Sequence, residues 1–278
     1  MKKIFQFFKK KAPKKLPIVE SKPAPSAQKI KELEIKDAMK AIENNDLAVF
    51  KKICDKTPQL VNFHTPANLT IFFYAVWFGR LSIVNYCLTL PTLYLNAVQS
   101  NHYTYSWEGR SALHIATENL YKNEVAIALI QAGIDLNIIS PPIYVKAIHV
   151  AAKKGKLEII KAILVKDASQ LNTLDYWQQT PLMWAAGHGQ TLVVKYLLQQ
   201  PRVDVDAFAN YAAREHERKT ALAWAVHNSH WESAALLKEY GRQRVVKFFD
   251  QATNQYFPSD LVNLISQYDD PVPRLMRV

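Results

Sequence analysis

Thr180-Pro181-Leu182-Met183-Trp184-Ala185-Ala186-Gly187-His188-Gly189-Gln190, continuing through Val193-Val194-Lys195-Tyr196-Leu197-Leu198, is the stretch from which the fold is read. Thr180 suits a helix N-cap, because its hydroxyl accepts one of the unpaired N–H groups of the first turn. Pro181 suits the first helical position, where the N–H it lacks would have no partner. Leu182, Ala185 and Ala186 give a short helix with one apolar face and a small-residue seam. Gly189 provides the left-handed residue that ends it. Val193, Val194, Leu197 and Leu198 then mark the buried face of a second helix. Neither helix is long enough to be stable alone, so the unit requires neighbours.

Those neighbours are in the sequence. Positions matching Ala185 occur at Ala41, Ala75, Ala116, Ala151 and Ala225, with successive spacings of 34, 41, 35, 34 and 40 residues. Thr70-Ile71-Phe72-Phe73-Tyr74-Ala75, Ser111-Ala112-Leu113-His114-Ile115-Ala116, Ala147-Ile148-His149-Val150-Ala151 and Thr220-Ala221-Leu222-Ala223-Trp224-Ala225 repeat the first-helix pattern. Gly79 and Gly155 repeat the inter-helix turn, whereas the copy around Ala41 is degenerate and the third has Leu120 where glycine is usual. A helix–turn–helix unit with a period of about 33 residues is the ankyrin pattern. Residues 35–241 therefore resemble the ankyrin-repeat family, with about six repeats. The implied fold is an all-α solenoid of helix-turn-helix units with β-turn fingers. Residues 1–34 read as a basic, Pro-containing disordered tail and linker, and 242–278 as a helical C-terminal cap with a short tail, which a solenoid needs to close its core.

Of the seven glycines, six (Gly79, Gly109, Gly133, Gly155, Gly189 and Gly241) fall at predicted turns, leaving none for a phosphate-cradling loop. Cys54 and Cys87 fall on second helices with no metal-ligand spacing, and read as buried thiols in a reducing compartment. The chain carries a net charge of +11. Residues 1–36 hold eleven lysines against three glutamates and account for +8 of it, so the array itself is nearly balanced. A nucleic-acid-binding solenoid would place that charge on the array, and nucleic acid is not an expected partner. No apolar run reaches the ~18 residues of a membrane span. At the N-terminus, Lys2, Lys3, Phe5, Phe7, Phe8, Lys9 and Lys10 put lysines around an aromatic cluster too short for a signal peptide. Two readings of residues 1–11 stand side by side: a peripheral contact with an anionic membrane, and a solvated tail docking onto the first repeat.

In ankyrin arrays, as the resemblance implies, partners meet the inner-helix surface just after the alanine seam and the tips of the fingers. Here those positions hold Trp77 and Phe78, Lys153 and Lys154, His188, Trp107 and Glu108, Ile143, and Tyr176 and Trp177. Two fingers are lengthened, one through 97–106 with Tyr103 and Tyr105, the other through 208–218. Insertions in repeats map to one face, often the binding face. Large aromatics exposed there suit binding, unless the fingers fold back over them. Tyr74, Trp184 and Trp224, one residue before the seam, read as packing. His114 and His149 match the family's histidine, whose imidazole bonds backbone of adjoining turns. No catalytic or metal-binding arrangement is recognisable.

The expected function is therefore a non-catalytic protein–protein interaction module, a cytoplasmic monomer with no cofactor and no metal, binding a protein partner through its concave face and fingers. A second reading shares the fold. Degenerate repeats behind a basic tail resemble effectors that bacteria deliver into host cells, with the Lys/Phe segment as a membrane tether in the host cytoplasm. A third, an enzyme with a site within 206–278, has no motif behind it. Residues 271–278 read as either a docking peptide or a secretion signal.

Overall fold

The computed structural model describes residues 32–66, 69–99, 109–118, 123–141, 144–209 and 219–251, with the backbone alone over 245–251. Twelve α-helices lie in these residues, in six antiparallel pairs: α1 (Glu32–Glu43) with α2 (Leu47–Lys56), α3 (Ile71–Trp77) with α4 (Leu81–Leu88), α5 (Ala112–Glu118) with α6 (Asn123–Gln131), α7 (Ala147–Lys153) with α8 (Leu157–Lys166), α9 (Pro181–Gly187) with α10 (Thr191–Leu198), and α11 (Ala221–His227) with α12 (Trp231–Gln251). First helices pack on first helices and second on second, giving two layers. No β-strand occurs among the described residues. Single antiparallel bridges, His64–Thr70, Val98–Ser111, Ser140–Val145 and Ala209–Lys219, close the bases of four fingers, including both lengthened ones.

The alanine seam is what lets the layers close. Ala41, Ala75, Ala116, Ala151, Ala185 and Ala225 are all buried, and a methyl group is the largest side chain that keeps neighbouring helix backbones close. Behind it, Phe50, Ile83, Val84, Leu129, Ile159, Ile163, Val193 and Leu197 of the second helices fill the space between layers. Helices of seven to twelve residues have too little local stability to persist alone, so this shared burial holds them. Thr70, Thr180 and Thr220 cap α3, α9 and α11, each hydroxyl accepting the N–H three residues on.

The inter-helix turns repeat one geometry. Asn45, Gly79, Gly155, Gly189 and Ser229 have φ between 57° and 70°. In each turn the next residue donates its N–H back to the seam alanine's carbonyl: Asp46 to Ala41, Arg80 to Ala75, Lys156 to Ala151, Gln190 to Ala185 and His230 to Ala225. This 6→1 bond closes the helix end. Side chains then tie each turn to the preceding one: Arg80 Nε donates to Ile42 O at 2.8 Å, Gln190 Nε2 to Lys153 O at 3.1 Å, and Asn228 Nδ2 to Gly187 O at 2.6 Å. On the other side of the layers, Asn62, Asn96 and Asn172 accept from the backbone N–H of Tyr94, Asp135 and Asp204 in the following repeat.

Gly241 departs from expectation. It is not in a turn but buried within α12, which runs unbroken from Trp231 to Gln251. At 21 residues this helix is longer than any other described helix. Arg244 Nη1 reaches Asp206 Oδ2 at 2.7 Å, tying the extension to the preceding loop. The element therefore crosses the position where the sequence suggested a boundary between array and cap.

Candidate functional site

His114 and His149 lie beneath the concave surface, each bridging to the next finger. The Nε2 of His114 bonds the Val145 carbonyl at 3.0 Å and that of His149 the Thr173 carbonyl at 3.1 Å. On the other side, His149 Nδ1 accepts the Lys146 N–H at 3.2 Å and His114 Nδ1 lies 2.8 Å from the Ser111 hydroxyl. Burial pushes both imidazoles down to about 4, against the smaller opposing effect of their carbonyl bonds. Both are neutral at pH 7 and fully occupied in holding fingers.

Above them is a cleft of about 100 Å³, lined by Arg110 and Glu118 from one repeat, Lys153 and Lys154 from the next, and Trp184 from the third. The Arg110 guanidinium pairs with the Glu118 carboxylate. The Lys153 ammonium lies over the Trp184 ring, 5.5 Å from its centroid. His188 is stacked on the same indole at 5.4 Å with planes 8° apart, its Nδ1 2.9 Å from the Trp184 carbonyl. Burial holds the His188 imidazole below its ordinary value, helped by the positive charges of Lys153, His230 and Lys154.

Trp184 also links the inner helices to a finger. Its Nε1–H donates to Asp175 Oδ2 at 2.8 Å, while Asp175 Oδ1 accepts the N–H groups of Trp177 and Gln179 at the same distance. Asp175 is buried, and desolvation pulls its carboxyl upward against those three bonds. The anchored finger presents Tyr176 and Trp177, whose rings meet edge to face at 5.1 Å. Tyr176 in turn touches Tyr144 of the preceding finger, centroids 5.4 Å apart. Tyr144 and Tyr176 are 46% and 37% exposed, so this cluster contributes to the surface rather than the core.

The fold thus brings Lys153, Lys154 and His188 together around Trp184, and joins Tyr176 and Trp177 to them through Asp175. Trp77 lies two repeats earlier and is 42% exposed. Phe78 corrects the expectation of an aromatic outside the core. It is half-buried against the core, between the Tyr74 ring at 4.7 Å and the Arg80 guanidinium at 5.7 Å. Its position beside the turn makes it the packing surface for the side chain that staples two repeats. Trp184 is half-buried against the core, in keeping with its reading as packing, and it also lines the cleft; Tyr144 was not among the residues picked out from the sequence. The sequence places Asp175 one residue before Tyr176, an Asx-turn signal, but gives no hint that the same carboxylate reaches an indole nine residues on. Tyr103, Tyr105, Trp107, Glu108, Ile143 and the segment of Lys2, Lys3, Phe5, Phe7, Phe8, Lys9 and Lys10 lie outside the described residues.

Among the described residues no three of His, Cys, Asp and Glu converge to hold a metal ion, and no helix is long and apolar enough to cross a membrane. Cys54 and Cys87 are buried; desolvation pushes the Cys54 thiol up to about 12 and Cys87 upward as well, so neither forms a thiolate near neutral pH.

Residues 148–247 match the family model of ankyrin repeats, in three copies. No curated protein sequence matches the chain. A solved chain similar to this one comes from the structure of the predatory endopeptidase Bd0816 of Bdellovibrio bacteriovorus in complex with immunity protein Bd3460. It is 25% identical, the match covers 73% of this chain and 97% of that chain, and the TM-score is 0.60.

Proposed function

This chain is an ankyrin-repeat protein, and from that premise we propose that it is a non-catalytic module that binds a partner protein through its concave face and adjoining fingers. The observation behind the proposal is the surface that runs from Lys153, Lys154, Trp184 and His188 through Asp175 to Tyr144, Tyr176 and Trp177. Rigid aromatics held in place by the fold lose little side-chain freedom when a partner covers them, and such residues dominate binding energy where a partner buries them. Ankyrin arrays imply protein–protein interaction, and the similar solved chain belongs to a two-protein complex of an endopeptidase and an immunity protein. A folded protein is accordingly the expected partner here.

Site-specific photo-crosslinking tests this. A benzophenone amino acid replaces Tyr176 in one sample and Val165 in another. Val165 is 88% exposed on the outer helix α8 and is the control for accidental proximity. In lysate of the cells that produce the chain, one discrete adduct is expected from position 176 and none from 165. Adducts from 165 alone would place the interface on the outer layer and overturn the proposal.

A further inference from the structure

Among the described residues, the cleft is lined by more positive than negative charge. The permanent charges of its described lining are Arg110, Lys153 and Lys154 against Glu118, since His114 and His149 beneath it are occupied with backbone groups. Among the described residues neither the Lys153 nor the Lys154 ammonium reaches a carboxylate, although the two cations are consecutive and stand over the same cleft. The geometry already accommodates a carboxylate, because the chain's own Glu118 is seated on the Arg110 guanidinium. Beside the lysines, the Trp184 indole lines the same cleft, with the Lys153 ammonium over its ring and His188 stacked on it.

We propose that this cleft is the receptor for a glutamate or aspartate side chain on an acidic segment of the partner protein. The carboxylate is received by Lys153 and Lys154 next to the Arg110–Glu118 pair, at the cleft that Trp184 also lines. This deepens the interaction reading above and rests on it. The size of the space favours a protein carboxylate over a nucleic-acid backbone, because it holds one side chain and not a run of phosphates. Lysines at the C-terminal end of α7 also complement the helix dipole, so stability and binding must be read separately.

The probe is the pentapeptide acetyl-Gly-Glu-Leu-Glu-Gly-amide at millimolar concentration, with its Gln-for-Glu counterpart as the uncharged control. It is titrated into the ¹⁵N-labelled full chain and into the Lys153→Gln/Lys154→Gln variant. In the parent chain the Glu peptide is expected to shift the Trp184 indole N–H and the Lys153 and Lys154 amides, and the Gln peptide to leave them in place. The variant is expected to bind about fivefold more weakly, the upper range for an exposed ion pair, with its urea midpoint lowered by no more than the helix-end contribution of the two lysines.

Equal affinity in the variant, or shifts confined to other lysines, would overturn the assignment. So would sodium phosphate or phosphatidylserine vesicles producing the same shifts at matched ionic strength, which would mean general attraction of anions. Crosslinking from position 176 separates the two proposals. A wild-type adduct yield in the double-lysine variant removes the carboxylate receptor and leaves the interaction module standing. Loss of every position-176 adduct from the parent chain, with the peptide shifts intact, does the reverse.

Discussion

Gly155→Ala tests how one repeat is fastened to the next, directly beneath the cleft. Gly155 has φ +70°, and a methyl group there would fall well inside contact distance of Gln190 Oε1, with Cδ at 3.0 Å. Gln190 is the side chain that crosses from the following turn to bond the Lys153 carbonyl. Two costs therefore add. Forcing an alanine into the left-handed region costs about 1–2 kcal/mol. Moving Gln190 aside forfeits its hydrogen bond, about 0.5–1.5 kcal/mol. The expected destabilisation is about 2–3 kcal/mol. Gly133→Ala separates the two contributions, because Gly133 has φ +84° but nothing within 4 Å of an added methyl group. That variant is expected to lose only the backbone part, about 1–2 kcal/mol. Urea unfolding with an unchanged m-value reads both differences. Equal losses in the two variants would refute the claim that the Gln190 crossing stabilises the stack, and a Gly155→Ala protein as stable as the parent would refute the conformational argument too.

Acid should weaken the fold through its two buried histidines. Their folded-state values lie near 4, below the ordinary 6.5, so the unfolded chain binds more protons between those limits. The neutral-state advantage is therefore complete above about pH 6.5 and is lost as pH falls towards 4, roughly 3 kcal/mol for each imidazole. Urea midpoints at pH 7, 5.5 and 4 would read this, and a His114→Gln/His149→Gln variant should show a distinctly flatter profile. Asp175→Ala should release the finger that carries Tyr176 and Trp177, leaving the Trp184 indole and two backbone N–H groups without their acceptor. The expected loss is about 2–4 kcal/mol, with faster amide exchange at Trp177 and Gln179; unchanged exchange there would show that the aromatics are held by something else.

The repeat itself was legible because its signals are local. A threonine cap, a seam alanine and a left-handed turn residue act within a dozen positions, and their recurrence multiplies the evidence. The 6→1 bond even shows why Asn45 and Ser229 stand in for glycine, since at those two turns the requirement is a positive φ. A further regularity lies in the same sequence: Asn62 and Asn96 are 34 residues apart, the same interval as Ala41 and Ala75, and both hold the backbone of the following repeat. What escaped was decided between repeats. Trp184 packs against the core, as its place beside Ala185 indicates, but its donor, its ring face and its stacking surface are also used by Asp175, Lys153 and His188. Phe78 looks exposed from its place after the seam, yet the Arg80 staple needs a surface to lie on. Gly241 looks like a turn because earlier glycines are turns, but the helix runs through it. In each case the residue's neighbours along the chain are ordinary, and its role is set by the adjoining units. The binding surface is assembled the same way. Lys153 and Lys154 end one repeat, Trp184 and His188 belong to the next, and Tyr144 and Tyr176 come from successive fingers. A change in repeat spacing would therefore reshape this face before it disturbed the core of any single unit.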